Sequence, residues 1–297
     1  GTQGGRLQAN RQRGVEEDED DSLGPAPEYN AVDPEFIAAV REIIYGGGGG
    51  GGALSLGSRS SGVSLDDSRQ LSASQSQSQS PPISGGPTGE EEPRVLASAK
   101  ERAPYASDMG HHGRALPDLV VLPVTTEETA AIVRLCYTRR VPLVTRGAGT
   151  GLEGGCIAYS GGVVLDTSLM RTKRMVAGEH LAVVGAGVLK NELNEFLRPH
   201  GMLFGPDPSS NPTIGGMAST GGSGMSTLKY GTSKENIRSM VVVTPSGRVI
   251  RTRKAVRKSS TGYELNALYL GAEGTLGVIT ELTVRLFPRP AVRCGAV

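Results

Sequence analysis

Three glycine-rich segments in the second half of the chain constrain its fold most strongly. They are RGAGTGLEGG at 146–155, GPDPSSNPTIGGMASTGGSG at 205–224 and GAEGTLGVIT at 271–280. Because glycine has no Cβ, such segments let the backbone approach another group closely and direct several N–H groups at it. The first segment alone is compatible both with a ligand-free turn and with a loop that surrounds a phosphate.

The first segment contains Gly149, Gly151 and Gly154, which match the spacing of the dinucleotide fingerprint G-x-G-x-x-G. That fingerprint requires a helix that begins within the motif and an acidic residue about 20 positions further on. Here the segment GGCIAYSGGVVLD follows, which is too rich in glycine for a helix and leads directly into a predicted strand. The sequence therefore disfavours a Rossmann-type site.

The second segment, 205–224, is predicted to be a long loop without periodic structure. Long loops within a compact domain are usually functional. The hydroxyls of Thr220 and Ser223, together with the main chain, offer uncharged hydrogen-bond donors. The third segment enters a predicted strand. Together the three segments favour an extended polar cofactor that is held mainly by the backbone.

Short apolar runs between these segments predict strands at 119–122, 142–145, 163–166, 182–185, 240–244, 249–251 and 277–286. Helical spacing predicts one helix after Thr125, where Thr125 and Glu128 form a capping-box pattern. A second helix is expected over 189–197, with Gly201 as its C-terminal cap. The predicted fold class is α+β, with many short strands and glycine-rich connections.

The first 93 residues differ in composition from the rest. They carry six basic and fifteen acidic side chains, whereas residues 94–297 carry twenty-five basic and fifteen acidic ones. We expect residues 1–93 to be a mostly disordered, low-complexity arm, with an acidic tail at 16–21 and one short helix at 33–45. Seven glycines and a serine-rich stretch follow that helix, so 46–92 is predicted to be a disordered insertion.

The positive charge of 94–297 suits an anionic group such as a pyrophosphate or a carboxylate. The basic run at 248–258 lacks the interleaved aromatic residues expected of a nucleic-acid interface, so no nucleic-acid partner is predicted. Three cysteines, Cys136, Cys156 and Cys294, are too few and too scattered for a disulfide framework or a zinc site. The pair His111 and His112 has no third ligand nearby, and no apolar run is long enough for a transmembrane segment.

The order of the motifs resembles the FAD-binding domain of the vanillyl-alcohol-oxidase-like flavoproteins. The motifs are RGAGTGLEGG, GGVVLDTSLM, GPDPSSNPTIGGMASTGGSG, LKYGTSKENI, PSGRVIRT and KSSTGYELNALYLGAEGTLGVITE. The branch that they resemble contains the D-lactate dehydrogenases, the glycolate oxidase D-subunits and the D-2-hydroxyglutarate dehydrogenases. The resemblance covers 117–290, and the region 94–117, with Tyr105, Ser107 and Asp108, also resembles this branch. The resemblance implies a PCMH-type FAD-binding domain of two α/β subdomains within 94–297.

The resemblance also implies roles for individual residues. The backbone at Arg146, Gly147, Ala148, Gly149, Thr150, Gly151 and Leu152 would surround the FAD pyrophosphate. Pro206 and a turn at Ile214, Gly215 and Gly216 would line the isoalloxazine and ribityl region, while Thr220, Ser223 and Gly224 would donate further hydrogen bonds. Glu273, Gly277 and Ile279 would meet the adenosine end. Thr150 and Gly151 stand where some relatives carry a flavin-linked histidine, so the FAD is expected to be non-covalent.

As a function, the resemblance implies a dehydrogenase that oxidises a small D-2-hydroxyacid such as D-lactate by hydride transfer to FAD. Its electron acceptor would be a cytochrome, a quinone or an electron-transfer flavoprotein, and its location mitochondrial, with a cytoplasmic one as the alternative. Catalytic groups and a divalent metal belong to a substrate cap domain in that branch. We expect this chain to be an inactive fragment without the cap, so no catalytic or metal-binding residue is predicted. The alternatives are a non-catalytic flavin-binding module and an alditol or lactone oxidase of the same superfamily.

Overall fold

The computed structural model describes residues 28–46, 93–254 and 260–292. The acidic run at 16–21 and all but the first residue of 46–92 lie outside these ranges, as does Cys294. Within the described ranges, no helix combines the length and the apolar character that crossing a membrane requires.

The described residues form a mixture of short helices and strands, which confirms the α+β class. The helices are α1 (Pro34–Tyr45), α2 (Ala99–Arg102), α3 (Thr126–Arg139), α4 (Lys190–Leu197), α5 (Ile214–Thr220), α6 (Thr227–Tyr230), α7 (Ser233–Asn236) and α8 (Leu265–Tyr269). The strands are β1 (Val95–Leu96), β2 (Leu119–Val121), β3 (Leu143–Arg146), β4 (Val163–Asp166), β5 (Lys173–Met175), β6 (Leu181–Gly185), β7 (Met202–Leu203), β8 (Ile237–Val243), β9 (Val249–Arg251), β10 (Val278–Arg285) and β11 (Phe287–Pro288).

The first sheet has the strand order β1-β2-β4-β3. Strands β2, β4 and β3 are parallel, and β1 pairs with β2 in the antiparallel direction. All four residues of β4 are buried, as expected for a central strand whose two faces are covered. The last pair in the register joins Arg146 to Asp166, so β3 and β4 end at the same edge. The first glycine-rich segment therefore leaves the sheet at its carboxyl edge, where ligands of parallel sheets bind.

Helix α1 packs into the core of this first sheet. Its buried residues are Phe36, Val40 and Ile44, and they share a cluster with β1, β2 and α3. Arg94 holds the end of the helix, because its backbone N–H donates to the Tyr45 hydroxyl at 2.7 Å and its guanidinium donates to the Ile44 carbonyl at 2.5 Å. One guanidinium nitrogen also donates to the two carboxylate oxygens of Glu128, in α3, at 2.9 and 3.0 Å. The helix predicted at 33–45 thus shares a core with residues that follow position 94.

The second sheet is antiparallel, with the order β5-β6-β10-β8-β9. Strand β10 lies at its centre and pairs with both β6 and β8. Helix α3 joins the two sheets: it contacts β8 and β10, and the Thr126 hydroxyl donates to the Thr280 hydroxyl at 2.8 Å. The two α/β subdomains therefore meet along α3, and strands β7 and β11 form a small third sheet.

The expectation that 205–224 lacks periodic structure is wrong, because α5 occupies seven residues of it. The helix begins after Thr213, whose side chain accepts the N–H of Gly216 at 3.1 Å, and it ends at Gly221 in the left-handed conformation. Ile214, Met217 and Ala218 are buried against the second sheet. Their i, i+3, i+4 spacing is hidden among residues of low helix propensity, so burial against the sheet rather than local preference stabilises this helix.

Candidate functional site

The three glycine-rich segments meet at one open cleft with a volume of about 370 Å³. The cleft lies at the carboxyl edge of the first sheet, beside α5 and the start of β10. Thirteen of the seventeen residues predicted to contact the cofactor line it, and they come from all three segments. These are Arg146, Gly147, Ala148, Gly149, Thr150, Gly151, Leu152, Gly215, Gly216, Thr220, Glu273, Gly277 and Ile279.

The other four predicted residues do not line the cleft. Pro206 is buried, and the Ile214 side chain is fully buried in the core of the second subdomain. Ser223 is exposed, and its hydroxyl lies 3.4 Å from that of Thr227. Gly224 packs so closely against Asp207 that a Cβ would overlap its backbone. The structure thus brings the glycine segments together without placing these four positions at the cleft wall.

Several lining residues were not identified from the sequence. They are Asp108, Thr145, Glu153, Gly155, Cys156, Thr167, Ala186, Pro208, Ser210, Pro212, Thr213, Met217, Ser219, Gly222 and Val278. Some of them carried a usable signal: Thr167 directly follows β4 at the carboxyl edge, and Ser210 belongs to a segment already singled out. Asp108 carried a signal only through the resemblance of 94–117 to the same branch, because a single carboxylate in a polar stretch does not by itself indicate which loop it faces.

The first glycine-rich segment offers backbone donors to the cleft. Within the described residues, the N–H groups of 148–152 donate no hydrogen bond to the protein. Gly147 approaches Thr213 so closely that a Cβ would overlap the threonine hydroxyl, whereas a Cβ on Gly151 would meet no atom within 4 Å. A row of unpaired N–H groups beside open space can donate to the oxygens of an anionic ligand.

The Arg146 side chain lies beneath this segment. Its guanidinium donates to the carbonyl of Ser107 at 2.9 Å and to that of Pro104 at 3.4 Å, and its Cζ lies 5.4 Å from the centre of the Tyr105 ring. A Cβ on Gly149 would overlap the guanidinium. The arginine therefore binds backbone carbonyls and places its positive charge directly under the row of N–H groups.

A buried carboxylate lies next to this cation. Asp166 accepts the N–H of Ser168 at 2.8 Å and the hydroxyl of Tyr105 at 3.0 Å. Burial raises the pKa of Asp166 above its ordinary value. Burial and the nearby Asp166 also raise the pKa of Tyr105, so that the phenol stays protonated and keeps its role as a donor.

The third segment is anchored to the second. The backbone N–H of Glu273 donates to the carbonyl of Ser219 at 2.9 Å, and that of Gly271 donates to the carbonyl of Ala218 at 3.1 Å. Gly277 lies against β8, where a Cβ would come within 2.7 Å of the Val243 carbonyl oxygen. The three segments therefore form one connected wall rather than three independent loops.

The donor set of the cleft fits a dinucleotide that carries a diphosphate. It combines free backbone N–H groups, a cation beneath them and hydroxyls from Thr167, Ser210 and Ser219. No histidine is among the described residues that line it. Among the described residues, no group of three His, Cys, Asp or Glu side chains could hold a metal ion, and the rings of His111 and His112 stack on each other at 4.9 Å.

Comparison with known proteins identifies this cofactor. Residues 117–253 match the family of the FAD binding domain. The chain contains an FAD-binding domain. It is similar to the D-lactate dehydrogenase of Anaerostipes hadrus, with 38% identity over 200 residues that cover 66% of this chain and 42% of that protein. It is also similar to the mitochondrial D-lactate dehydrogenase [cytochrome] of Arabidopsis thaliana, with 42% identity over 59% of this chain and 31% of that protein.

The glycolate oxidase subunit GlcD of Escherichia coli is 39% identical over 67% of this chain and 40% of its own length. Among solved structures, an alkyldihydroxyacetonephosphate synthase superposes with a TM-score of 0.60 and 26% identity, over 67% of this chain and 42% of that chain. The FAD-binding domain therefore belongs to the branch expected from its motifs. The chain spans less than half the length of these relatives.

Proposed function

We propose that this chain binds FAD non-covalently in the cleft and is the flavin-binding part of an oxidoreductase that oxidises a small D-2-hydroxyacid such as D-lactate. The observation that carries the proposal is the meeting of three glycine-rich segments at one cleft with unpaired N–H groups. The likeness to D-lactate dehydrogenases at 38% and 42% identity supports the substrate class.

In this proposal, the N–H groups of 148–152 hold the diphosphate above the Arg146 guanidinium. Further polar contacts that add no charge come from four lining residues with hydroxyl groups. These are Thr150, Thr167, Ser210 and Ser219. Such a donor set can bind an anion without a cation beside every oxygen. Backbone N–H groups donate hydrogen bonds to the oxygens, and one nearby cation balances part of the charge. The thirteen predicted residues that line the cleft remain the proposed contacts.

FAD supplies the redox chemistry when it is bound, since it accepts a hydride from the substrate carbon. The residues of this chain bind the cofactor, orient it and set the electrostatic field around it. The proposal does not require a described residue to act as the base that removes the substrate hydroxyl proton or as the group that binds the substrate carboxylate. The electron acceptor is proposed to be a cytochrome, a quinone or an electron-transfer flavoprotein.

The proposal is tested on the protein as it occurs in the cell, purified with its FAD, by adding D-lactate or L-lactate without oxygen and following the flavin absorbance near 450 nm. Loss of absorbance with D-lactate but not with L-lactate is the expected result. Bound flavin that neither substrate reduces, even with a divalent metal added, would contradict the proposed substrate class and favour the alternative of a non-catalytic flavin-binding module.

The fold alone does not decide the reaction. A synthase and several dehydrogenases share this domain, so the activity depends on groups placed against the flavin. We also propose a mitochondrial location, which rests on relatives named mitochondrial in Arabidopsis thaliana and Saccharomyces cerevisiae. Import of the tagged full-length protein into isolated mitochondria would test it.

A further inference from the structure

Residues 104–110 lie along the first glycine-rich segment, although they precede the matched FAD-binding region that begins at 117. The N–H of Met109 donates to the carbonyl of Gly151 at 3.1 Å, and the carboxylate of Asp108 accepts the N–H of Gly154 at 2.8 Å. The wall of the cleft therefore continues upstream of the region by which the family is recognised.

Asp108 uses one carboxylate oxygen to close a local turn and the other to join the two stretches of chain. One oxygen accepts the N–H of Gly110 and the other that of Gly154, each at 2.8 Å. Burial by itself raises the pKa of Asp108, but these two N–H groups and the nearby His112 hold it below its ordinary value, so the carboxylate is ionised at neutral pH. A neutral amide has only one acceptor oxygen and could replace one of the two bonds.

The bond from Met109 sets the orientation of a peptide group in the cleft wall. In a planar trans peptide the C=O and the following N–H point in opposite directions. Because the carbonyl of Gly151 points at Met109, the N–H of Leu152 points away from that residue. Gly110 shows how close the two stretches are, since a Cβ there would overlap the Leu152 carbonyl.

A glycine-rich segment loses more backbone freedom than any other when it becomes ordered. If ligand binding had to order the segment, the entropic cost of ordering would make the binding free energy less favourable. The contacts from Asp108, Met109 and the Arg146–Ser107 bond order it at both ends in the free protein. The N–H groups of 148–152 are consequently already arranged when the ligand arrives.

We infer that Asp108 is a positioning residue for FAD: it holds residues 147–155 in the shape that presents their N–H groups to the diphosphate. The inference rests on the proposed placement of the diphosphate at 148–152. It extends the functional site to a residue outside the matched domain, and it assigns that residue an effect on affinity rather than on the chemical step.

Asp108→Asn tests the inference, and Asp118→Asn is its matched control. Asp118 also accepts a glycine N–H, that of Gly162 at 2.7 Å, but at the amino edge of the first sheet, opposite the cleft. The dissociation constant of FAD is measured by flavin fluorescence, its release rate by gel filtration, and the thermal midpoint of each apoprotein by circular dichroism. Gly110→Ala is a second variant that keeps the carboxylate but separates the two stretches.

We expect Asp108→Asn to raise the FAD dissociation constant about tenfold or more, the effect of losing a bond to a charged group, with a faster release rate. Gly110→Ala should also raise the dissociation constant. Asp118→Asn should leave the dissociation constant unchanged, although it should lower the thermal midpoint of the apoprotein about as much as Asp108→Asn does. Equal affinities for wild type, Asp108→Asn and Gly110→Ala would overturn this inference alone. A wild-type chain that binds no FAD would overturn the cofactor site and the inference with it.

Discussion

Gly149 lies directly against the guanidinium of Arg146, with a backbone φ of 65° that L-residues with a side chain rarely adopt. Two residues further on, Gly151 faces open space. The same glycine-rich segment therefore contains one glycine that the protein's own packing requires and another that borders the open space in which we propose the diphosphate lies.

The first prediction separates these two requirements. Gly149→Ala should lower the free energy of unfolding by about 1–3 kcal/mol, because it combines a strained φ with an overlap on Arg146. Gly151→Ala should leave the stability of the apoprotein within about 0.5 kcal/mol of wild type, yet raise the FAD dissociation constant at least about tenfold. Urea unfolding and flavin titration measure the two effects.

Gly113→Ala is the control for Gly151→Ala, because Gly113 also faces open space but does not line the cleft. It should change neither stability nor affinity. If Gly151→Ala binds FAD as tightly as Gly113→Ala, the cofactor does not approach residue 151 and the proposed place of the diphosphate is wrong.

The second prediction concerns pH. The pKa of Asp166 is raised in the folded protein by burial, so protonation of this carboxyl favours the folded state. That contribution is fully present below the ordinary Asp pKa of about 3.9 and is lost as the pH rises through the raised value. Asn cannot titrate, so the free energy of unfolding of Asp166→Asn, relative to that of wild type, should increase as the pH rises from about 4 to about 7. Urea unfolding across that range checks the sign, and a relative gain on acidification would contradict it.

The third prediction uses the two described cysteines. Burial raises the pKa of Cys136 to about 12 and leaves it inaccessible, so it should resist alkylation in the native protein. Cys156 is only partly buried and lines the cleft, although burial raises its pKa as well. We expect slow labelling of Cys156 in the apoprotein and protection by FAD, measured by peptide mass spectrometry. Labelling of Cys156 that is unaffected by saturating FAD would place the cofactor elsewhere.

Much of the fold could be predicted where local pattern and burial agree. Strands β4 and β9 have the bounds expected from the sequence, since each is a short run of strand-forming residues between turn residues. Strand β8 begins at Ile237, earlier than expected, because Ser239 lies in the core, where its hydroxyl donates to that of Thr283. Helix α5 could not be predicted, because its stability comes from tertiary burial of Ile214, Met217 and Ala218.

The site was predictable only in part for a related reason. A cluster of glycines is easy to recognise in a sequence, and it indicates a backbone that turns sharply or approaches another group closely. The three segments could therefore be identified from the sequence. The proposed contribution of Asp108 depends on a fold that brings it to Gly154, 46 positions further along the chain. Pairing over such a distance leaves no local pattern.

The fourth prediction concerns α1. Phe36 is almost fully buried against the first sheet, so Phe36→Ala should lower the free energy of unfolding of the FAD-binding domain by about 3–5 kcal/mol. Glu42→Ala, at an exposed position of the same helix, should change it by less than about 0.5 kcal/mol. Chemical denaturation measures both. A Phe36→Ala protein as stable as wild type would show that α1 contributes little to this core.

The binding of FAD to the purified chain tests the central claim most directly. The absorption spectrum of the reconstituted protein, freed of excess cofactor, gives the amount of flavin bound per chain. We predict one FAD per chain, released intact when the protein is denatured, because the cleft holds it without a covalent bond. Folded protein that takes up no flavin under these conditions would contradict the account.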